Sequence, residues 1–312
     1  MKWANAPPLL VTGSHRSGTT WAGRMVHLSG ATGYLHEPFN PNRRPGWSGG
    51  RIPYWYLYVT QENERFYEPV LDDVLSYRYS LRRGLKDLRG VRAALWLGMD
   101  LPRSVAYRVT RPRPLLKDPF ALFSAEWLQR RYGVQTVVMI RHPAAFAGSI
   151  KRLNWRFRFR SWLAQDALLR DWLEPFRTEM RKCSSGQGDI IDQAVVMWNA
   201  IHHVILGYRR MHPDWLFVRH EDLAADPVRG FARMYEHFGL RFDDRTARRI
   251  TGFSSEPGGA RGVLAHHDSI RRNSRAATQS WRTRLTDEEV RRIRVGTGPI
   301  ASHFYEDFGP EG

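Results

Sequence analysis

The hydrophobic pattern repeats one unit along the chain: a short continuous apolar run, a turn, and a segment whose apolar residues recur every three to four positions. The first unit has its apolar run at residues 9–12, a glycine-containing loop at 13–18, and helical spacing after it. The second has a β-branched run at 134–140, a break at Pro143, and a predicted helix over 144–153. Strand, loop and helix are therefore predicted twice.

A third apolar run at 215–223 is followed by Asp226 and Pro227, which begin a predicted helix with a hydrophobic face. Continuous apolar strands are typical of a sheet that is covered on both faces. Alternation of strands with helices favours parallel pairing. The pattern predicts the α/β class, with three layers, α/β/α, around a central and mostly parallel sheet.

Residues 42–113 interrupt this alternation with many aromatic side chains set among glycines and arginines. We interpret the stretch as an insertion beside the sheet, within one domain that spans residues 1–312. Its aromatics either pack a small subdomain or bind an acceptor substrate, and the pattern leaves both open. Near the C-terminus, Thr286 and Glu289 form a capping box that predicts a helix through Arg294.

The composition predicts a folded protein in a reducing compartment. Of the 312 residues, 42% are hydrophobic, which supplies a core and excludes intrinsic disorder. Cys183 is the only cysteine, so an intrachain disulfide or cysteine-based zinc site cannot form, and we interpret it as incidental within a loop at 182–186. The first residues lack an apolar signal core and no apolar run approaches ~18 residues, so we expect a cytoplasmic protein.

The net charge indicates an anionic partner. The chain carries 48 Lys and Arg against 31 Asp and Glu, a net charge of +17. Such a surplus attracts nucleic acid, an anionic membrane surface or a polyanionic small molecule, unless it forms only a solvated basic surface. The basic clusters are dispersed and show no recognisable nucleic-acid module, so we expect no nucleic-acid partner. Peripheral contact with an anionic membrane stays open.

The loop at 13–18 predicts an anion site. Gly13 and Gly18 let the backbone turn with its N–H groups inward, and a helix beginning near Thr19 adds its positive end. The spacing matches the front of a Walker A loop, but Thr19 stands where a nucleoside-triphosphate enzyme would have lysine. Arg16 supplies a cation inside the loop instead. A plain strand-to-helix turn and a P-loop kinase with a degenerate loop are the alternatives.

The same loop resembles the 5′-phosphosulfate loop of sulfotransferases that use 3′-phosphoadenosine 5′-phosphosulfate (PAPS). The matching residues are Ser14, His15, Arg16, Ser17, Gly18, Thr19, Thr20 and Trp21. Loops of that family usually have proline in place of His15 and lysine in place of Arg16. Arg141, with Ser149 eight residues later, resembles the family's 3′-phosphate motif. Weaker matches lie at 36–39, 117–119 and 221–223, and at Trp281 with Arg271 and Arg272 upstream.

The resemblance implies a P-loop-like sulfotransferase fold and transfer of a sulfuryl group from PAPS to a hydroxyl acceptor. The product would be 3′-phosphoadenosine 5′-phosphate (PAP), no metal is expected, and the acceptor would be a carbohydrate or glycolipid. Arg16 is our candidate for stabilising charge on the leaving oxygen. Lys117 either reaches the sulfuryl group or is an exposed lysine at a strand end. A basic nucleic-acid-binding protein is the alternative outside enzymes.

The acceptor hydroxyl also needs a base to take its proton. His36, Glu37 and Asp118 lie near predicted strand ends, where ligands bind in open α/β sheets. Glu37 is preferred because similar branches of the family place a glutamate after the second strand. The alternative for Glu37 is a carboxylate that caps a turn before Pro38.

The segment 154–160 alternates aromatic residues with arginines. This pattern suits stacking on bases, contact with an anionic membrane, or a lid over a nucleotide. Because the segment directly follows the predicted helix that carries Ser149, we interpret it as a lid.

Overall fold

Five strands form the sheet of this protein in the computed structural model, which describes residues 6–42, 46–48, 50–86, 91–255 and 278–306. The strands are β1 Leu9–Gly13, β2 Thr32–His36, β3 Arg113–Lys117, β4 Gln135–Ile140 and β5 Leu216–Arg219. Their order in the sheet is β2-β3-β1-β4-β5. β3 pairs in parallel with β1 and with β2, and β4 pairs in parallel with β5. The predicted α/β class is confirmed.

Helices make up most of the remaining described chain. They are α1 Thr19–His27, α2 Glu64–Leu75, α3 Leu81–Lys86, α4 Val91–Thr110, α5 Ala125–Tyr132, α6 Pro143–Leu153, α7 Arg160–Leu163, α8 Asp166–Leu168, α9 Arg177–Ser184, α10 Ile190–Met211, α11 His220–Ala225, α12 Pro227–His237, α13 Asp244–Ser255 and α14 Asp287–Ala301. A 3₁₀ segment at Pro119–Ser124 follows β3.

The third predicted strand is shorter than its apolar run. β5 ends at Arg219, and the last part of the run forms α11. His220, Leu223 and Ala224 are the buried residues of α11. Their spacing of three and four positions is helical, because residues three or four apart lie on one face of a helix. The predicted strand over 215–223 is therefore wrong in its second half.

Two other boundaries differ from the prediction. Cys183 lies inside α9, not in a loop. The predicted capping box of Thr286 and Glu289 is present, but α14 continues beyond Arg294 to Ala301. A Cβ on Gly296 would lie 2.8 Å from a Val195 methyl of α10. Glycine at this position thus lets α14 and α10 approach closely.

The chain divides into two compact units. Unit 1 is Met1–Thr12 with Gly30–Thr136, and unit 2 is Gly13–Ser29 with Val137–Gly312. In unit 1 the predicted insertion holds α2, α3 and α4, and several of its aromatics belong to the core. Tyr56 is fully buried against Phe120 and Phe123, and Tyr77 is buried with its hydroxyl on the Pro112 carbonyl. These two rings are packing residues.

The core of unit 2 surrounds α10, which contacts α6 and α14. Its buried residues include Trp198, Ile201 and His202, and burial lowers the pKa of His202 to about 3. Within the described residues, α10 is the single helix long and apolar enough to cross a membrane, although polar residues interrupt its sequence. A core helix passes the same test of length and composition, and 56% of the apolar stretch of α10 is buried inside the protein.

Candidate functional site

The loop after β1 has a backbone that only glycine permits at two positions. Gly13 has φ of 135°, and a Cβ there would lie 2.2 Å from the Met139 carbonyl oxygen. Gly18 has φ of 92°, and a Cβ there would lie 2.4 Å from Nδ1 of His220. Between them, the amide of Ser17 donates to the Ser14 carbonyl at 3.1 Å, which closes a tight turn.

The N-terminus of α1 has neither a side-chain cap nor a nearby acidic residue in its first turn. Gly18 is its N-cap. Helix N-termini leave backbone N–H groups without helical partners, and these attract anions. Thr19 and Thr20 are the first two residues of α1. Such a turn followed by an uncapped helix is the geometry expected of the predicted phosphate loop.

The two predicted phosphate motifs meet in unit 2. Nε of Arg16 donates a hydrogen bond to Oγ of Ser149 at 3.0 Å, across a separation of 133 residues. Arg16 lies in the loop with φ of 67° and is exposed, whereas Ser149 is on α6 and is 8% exposed. The contact places a guanidinium and a hydroxyl, both anion-binding groups, at one point.

Arg141 follows β4 directly and is buried. Its carbonyl oxygen accepts a hydrogen bond from Nε1 of Trp198 at 2.9 Å, and its Nε lies 3.5 Å from Oε1 of Glu221. Burial lowers the pKa of the Arg141 guanidinium, and the charge of Glu221 opposes that shift. Burial also raises the pKa of Tyr305 well above 10, so its hydroxyl stays protonated and donates to Oε2 of Glu221 at 2.8 Å. Glu221 thus lies against the Arg141 guanidinium, and Tyr305 orients Glu221.

Three residues in the loop or next to it have buried polar atoms without a hydrogen-bond partner in the described chain. They are Oγ of Ser14, Nε1 of Trp21 and both ring nitrogens of His220. The rings of Trp21 and His220 meet edge to face with centroids 5.7 Å apart. Burial, and next the charge of Arg141, lower the pKa of His220 well below 6.5, so its ring is neutral with one donor and one acceptor. Buried polar groups are rarely left unpaired, so these atoms suit a polar ligand.

His220 was not among the residues predicted for this site. His220 lies within an apolar run in the sequence, so it is interpreted only as a polar residue within a predicted strand. Its position beside Gly18 depends on the end of β5 at Arg219, which the hydrophobic pattern did not predict. The signal that was present is a polar aromatic residue in the second half of the predicted strand, toward the edge of the sheet where ligands bind in open α/β folds.

His15 packs under the segment that follows α6. Its ring lies 4.2 Å from that of Trp155 and 5.2 Å from that of Phe146, measured between centroids. Phe157 and Phe159 in the same segment are buried against Trp162. The arginines that alternate with them are exposed. The alternating pattern therefore corresponds to buried aromatic rings and exposed arginines. The lid stays a prediction.

A second cluster lies in unit 1, where β2 and β3 end side by side. His36 and Lys117 are partners in the parallel register, and Glu37 follows β2. Nζ of Lys117 lies 2.6 Å from Oε1 of Glu37, and Nδ2 of Asn40 donates to Oε2 at 2.8 Å. The Lys117 side chain is 0% exposed and that of Glu37 is 12% exposed. The alternative of an exposed lysine at residue 117 is wrong, because this lysine is in a buried ion pair.

Glu37 bonds to Asn40 across a turn, through its side chain as well as its backbone. The turn is closed by backbone groups, since the Asn40 amide donates to the Glu37 carbonyl at 3.1 Å. Glu37 has φ of 52°, a left-handed conformation that is uncommon outside glycine. Strained conformations of this kind persist where the surrounding structure fixes them, often at functional sites.

Asp118 is the capping carboxylate of this cluster. Its oxygens accept from the amide of Phe120 at 2.9 Å and from that of Phe39 at 2.5 Å. It is fully buried, and burial followed by the negative charge of Glu37 raises its pKa to about 8. His36 has Nε2 at 3.6 Å from Oε1 of Glu37. Of the two candidate carboxylates, Glu37 has an exposed part, whereas Asp118 is fully buried.

In the described part of the chain, no group of three or more His, Cys, Asp or Glu side chains could hold a metal ion. Trp281 stacks on His142 with ring centroids 5.6 Å apart. Arg271 and Arg272, which the sequence associates with Trp281, lie outside the described residues.

The fold and the loop define an α/β protein with a P-loop-like turn that has Thr19 in place of the nucleoside-triphosphate lysine. The family model described as "Sulfotransferase family" matches residues 7–244. The chain therefore belongs to the sulfotransferase family, and the resemblance seen in its sequence is confirmed.

Curated relatives and a solved structure agree with this membership. Carbohydrate sulfotransferase 2 of Mus musculus is 26% identical over 201 residues, which cover 58% of this chain and 34% of that protein. Carbohydrate sulfotransferase 1 of Rattus norvegicus is 35% identical over 85 residues, which cover 26% of this chain and 20% of that protein. The matches thus span about a third or less of these relatives. The sulfotransferase domain from the curacin biosynthetic pathway has the same fold, with 14% identity, a TM-score of 0.52, and coverage of 96% of this chain and 97% of that domain.

Proposed function

We propose that this protein transfers a sulfuryl group from PAPS to a hydroxyl group of a carbohydrate or glycolipid. The observation that carries the proposal is the hydrogen bond between Arg16 and Ser149, which joins the loop after β1 to the helix after β4. A donor with phosphates on both the 5′ and the 3′ carbon of its ribose needs two anion sites close together. The cytoplasmic location expected from the single cysteine is part of the same proposal.

Unit 2 would bind the donor. The turn from Ser14 to Gly18 and the N-terminus of α1 suit the 5′-phosphosulfate, because backbone N–H groups and the helix dipole favour anions there. Arg141 and Ser149 suit the 3′-phosphate. The unpaired polar atoms of Trp21 and His220 are available to the ribose or the base.

The transfer step forms a bond from the acceptor oxygen to sulfur and breaks the bond from sulfur to the 5′-phosphate oxygen. The acceptor proton goes to a base, and the electron pair of the broken bond stays on PAP. By analogy with phosphoryl transfer, the transition state is loose, so positioning and charge stabilisation matter most. We assign the base to Glu37 and stabilisation of the leaving oxygen to Arg16. Lys117 holds Glu37 through the buried ion pair.

The names of the curated relatives support a carbohydrate acceptor. To test this part of the proposal, a panel of sugars and glycolipids is incubated with PAPS, and the release of PAP is measured. Sulfate transfer to at least one sugar hydroxyl is expected. Transfer to phenols or steroid alcohols, with none to sugars, would contradict it.

PAP is expected to raise the melting temperature without added metal. Ligand at 100 times its dissociation constant stabilises a protein by about 2.7 kcal/mol. A thermal-shift panel of PAP, ATP with Mg²⁺, GTP and short DNA measures this effect. Stabilisation by ATP with Mg²⁺ but not by PAP would favour a kinase, and stabilisation by DNA alone would favour a nucleic-acid-binding protein.

Arg141→Ala and Ser149→Ala are expected to weaken PAP binding and to leave adenosine 5′-phosphosulfate, which lacks the 3′-phosphate, unaffected. Hydrogen bonds to charged groups contribute roughly 1.5 to 3 kcal/mol, so Arg141→Ala should raise the Kd of PAP by about tenfold or more. Titration calorimetry with both nucleotides measures the difference. Arg152→Ala, at an exposed position of the same helix as Ser149, is the matched control. Equal losses for both nucleotides would place the effect outside a 3′-phosphate site.

A further inference from the structure

Unit 1 contains a cavity of about 600 Å³ that the proposed function does not use. This volume lies within the range of pockets that hold small ligands. Among its described lining residues are four arginines and no carboxylate: Arg78, Arg108, Arg111 and Arg113. Nη1 of Arg78 lies 3.7 Å from Oδ1 of Asp73, so the lining is positively charged but one of its four cations already has a counterion.

The cavity is separate from the Glu37 and Lys117 cluster. Arg113 lines the cavity and is the first residue of β3, whereas Lys117 is the last. Strands rise by about 3.3 Å per residue, so the two ends of β3 are roughly 13 Å apart. The cavity lies at the amino end of this strand, and the candidate base lies beyond its carboxyl end.

Two of the arginines are available to a ligand. Arg108 and Arg111 are exposed, and neither makes an ion pair or side-chain hydrogen bond with the described residues. Arg113 is held at the wall, since it donates to the Pro7 carbonyl and to Oε1 of Gln135. Burial lowers the pKa of Arg113 to about 10, so it remains a cation at neutral pH. Guanidinium groups in this arrangement favour an oxyanion.

The other part of the lining is apolar and open to solvent. Val105 and Val109 are 54% and 78% exposed, and they lie four positions apart on the same face of α4. Leu75 and Pro112 belong to the same lining. An apolar strip beside a group of cations suits a molecule that has an anionic head and an alkyl chain.

We propose that this cavity binds one molecule of an anionic amphiphile, with its head group on Arg108 and Arg111 and its chain along Val105 and Val109. The ligand is a dissolved monomer, because the arginines line a concave site of molecular size. The proposal is independent of PAPS binding, which concerns residues of unit 2.

Titration calorimetry of the full chain with dodecyl phosphate, kept below its micelle concentration, tests the proposal. Saturable binding of one molecule per chain is expected, with weaker binding of butyl phosphate, because the shorter chain buries less apolar surface. Dodecyltrimethylammonium and dodecyl maltoside, which share the alkyl chain but lack the anion, should not bind. Equal binding of all three dodecyl compounds would overturn the proposal. Binding to anionic vesicles without binding of the monomer would indicate a membrane surface and would also overturn it.

Two variants test separately the contacts proposed for the anionic head group and for the alkyl chain of the ligand. Arg108→Gln should raise the Kd of dodecyl phosphate by roughly tenfold or more, since a charged hydrogen bond is lost. Val109→Ser should reduce the preference for dodecyl over butyl phosphate. Arg82→Gln, an exposed arginine of α3 outside the cavity, is the matched control and should bind as the wild type does. The PAP-induced thermal shift should be unchanged in all three variants, and unchanged dodecyl phosphate affinity in Arg108→Gln would overturn the proposal.

Discussion

Glu37→Gln is expected to lower turnover by about 10² to 10⁴ while PAP still binds. Glutamine has the size of glutamate and its carbonyl oxygen accepts hydrogen bonds, but it cannot take the acceptor proton. In the native protein, Glu37 accepts from Lys117 at 2.6 Å and from Asn40 at 2.8 Å, and glutamine keeps an acceptor for one of these donors. Turnover measured with the best acceptor, beside the PAP thermal shift, separates loss of the base from loss of the fold.

Asp118→Asn and His36→Gln are the controls for this assignment. Asparagine keeps an oxygen that accepts from the amide of Phe120, so the 3₁₀ segment after β3 retains its cap. Turnover in both controls should stay within about tenfold of the wild type. Near-normal turnover in Glu37→Gln, together with collapse in one control, would transfer the base to that residue.

Removal of the charge of Glu37 also affects Lys117, which has no exposed side-chain surface. A buried cation that loses its partner is destabilising by several kcal/mol. Lys117→Met in the Glu37→Gln background removes that cation. If Lys117→Met alone keeps turnover, and the double variant recovers stability but not turnover, the loss of activity belongs to Glu37 and not to an unpaired lysine.

Local features of this chain could be predicted from its sequence because their causes are local. Gly13 and Gly18 lie where φ is positive and a Cβ would collide with neighbouring atoms. Glycine in the sequence therefore indicates the turn of the backbone at these positions. The capping box of Thr286 and Glu289 likewise involves neighbours three residues apart. β1 and β4 are buried along almost their whole length, and strands of this kind need continuous apolar runs. Those runs identified both strands in the sequence.

Contacts between distant segments could not be predicted by the same means. The hydrogen bond between Arg16 and Ser149 spans 133 residues, and the bond between Lys117 and Glu37 spans 80. The family motifs indicated that Arg16 and Ser149 both bind a donor, but only the fold shows that they touch. The ion pair of Glu37 arises from the parallel register of β2 and β3, which the hydrophobic pattern does not specify.

Arg16→Ala is expected to lower turnover by about 10² to 10³ and to change the Kd of PAP less than tenfold. A positioned donor that meets charge developing in the transition state contributes to turnover, whereas one that meets charge already on the ligand contributes to affinity. Arg16 is exposed and lies in the turn before α1, at the proposed 5′-phosphosulfate site. Single-turnover rates and PAP titrations of the same variant separate the two contributions. A loss confined to affinity would make Arg16 an ordinary phosphate ligand.

The hydrogen bond from Arg16 to Ser149 offers a second explanation for a loss of turnover, because Arg16→Ala also removes a partner of Ser149. A double-mutant cycle with Ser149→Ala distinguishes them. If Arg16 acts on the leaving oxygen, the fold-loss in turnover should be the same with serine or alanine at residue 149. If Arg16 acts by orienting Ser149, the loss should largely disappear in the alanine background. Arg16→Lys completes the test, because lysine restores the charge but not the fork of donors, and recovery of turnover in this variant would assign the catalytic effect to charge alone.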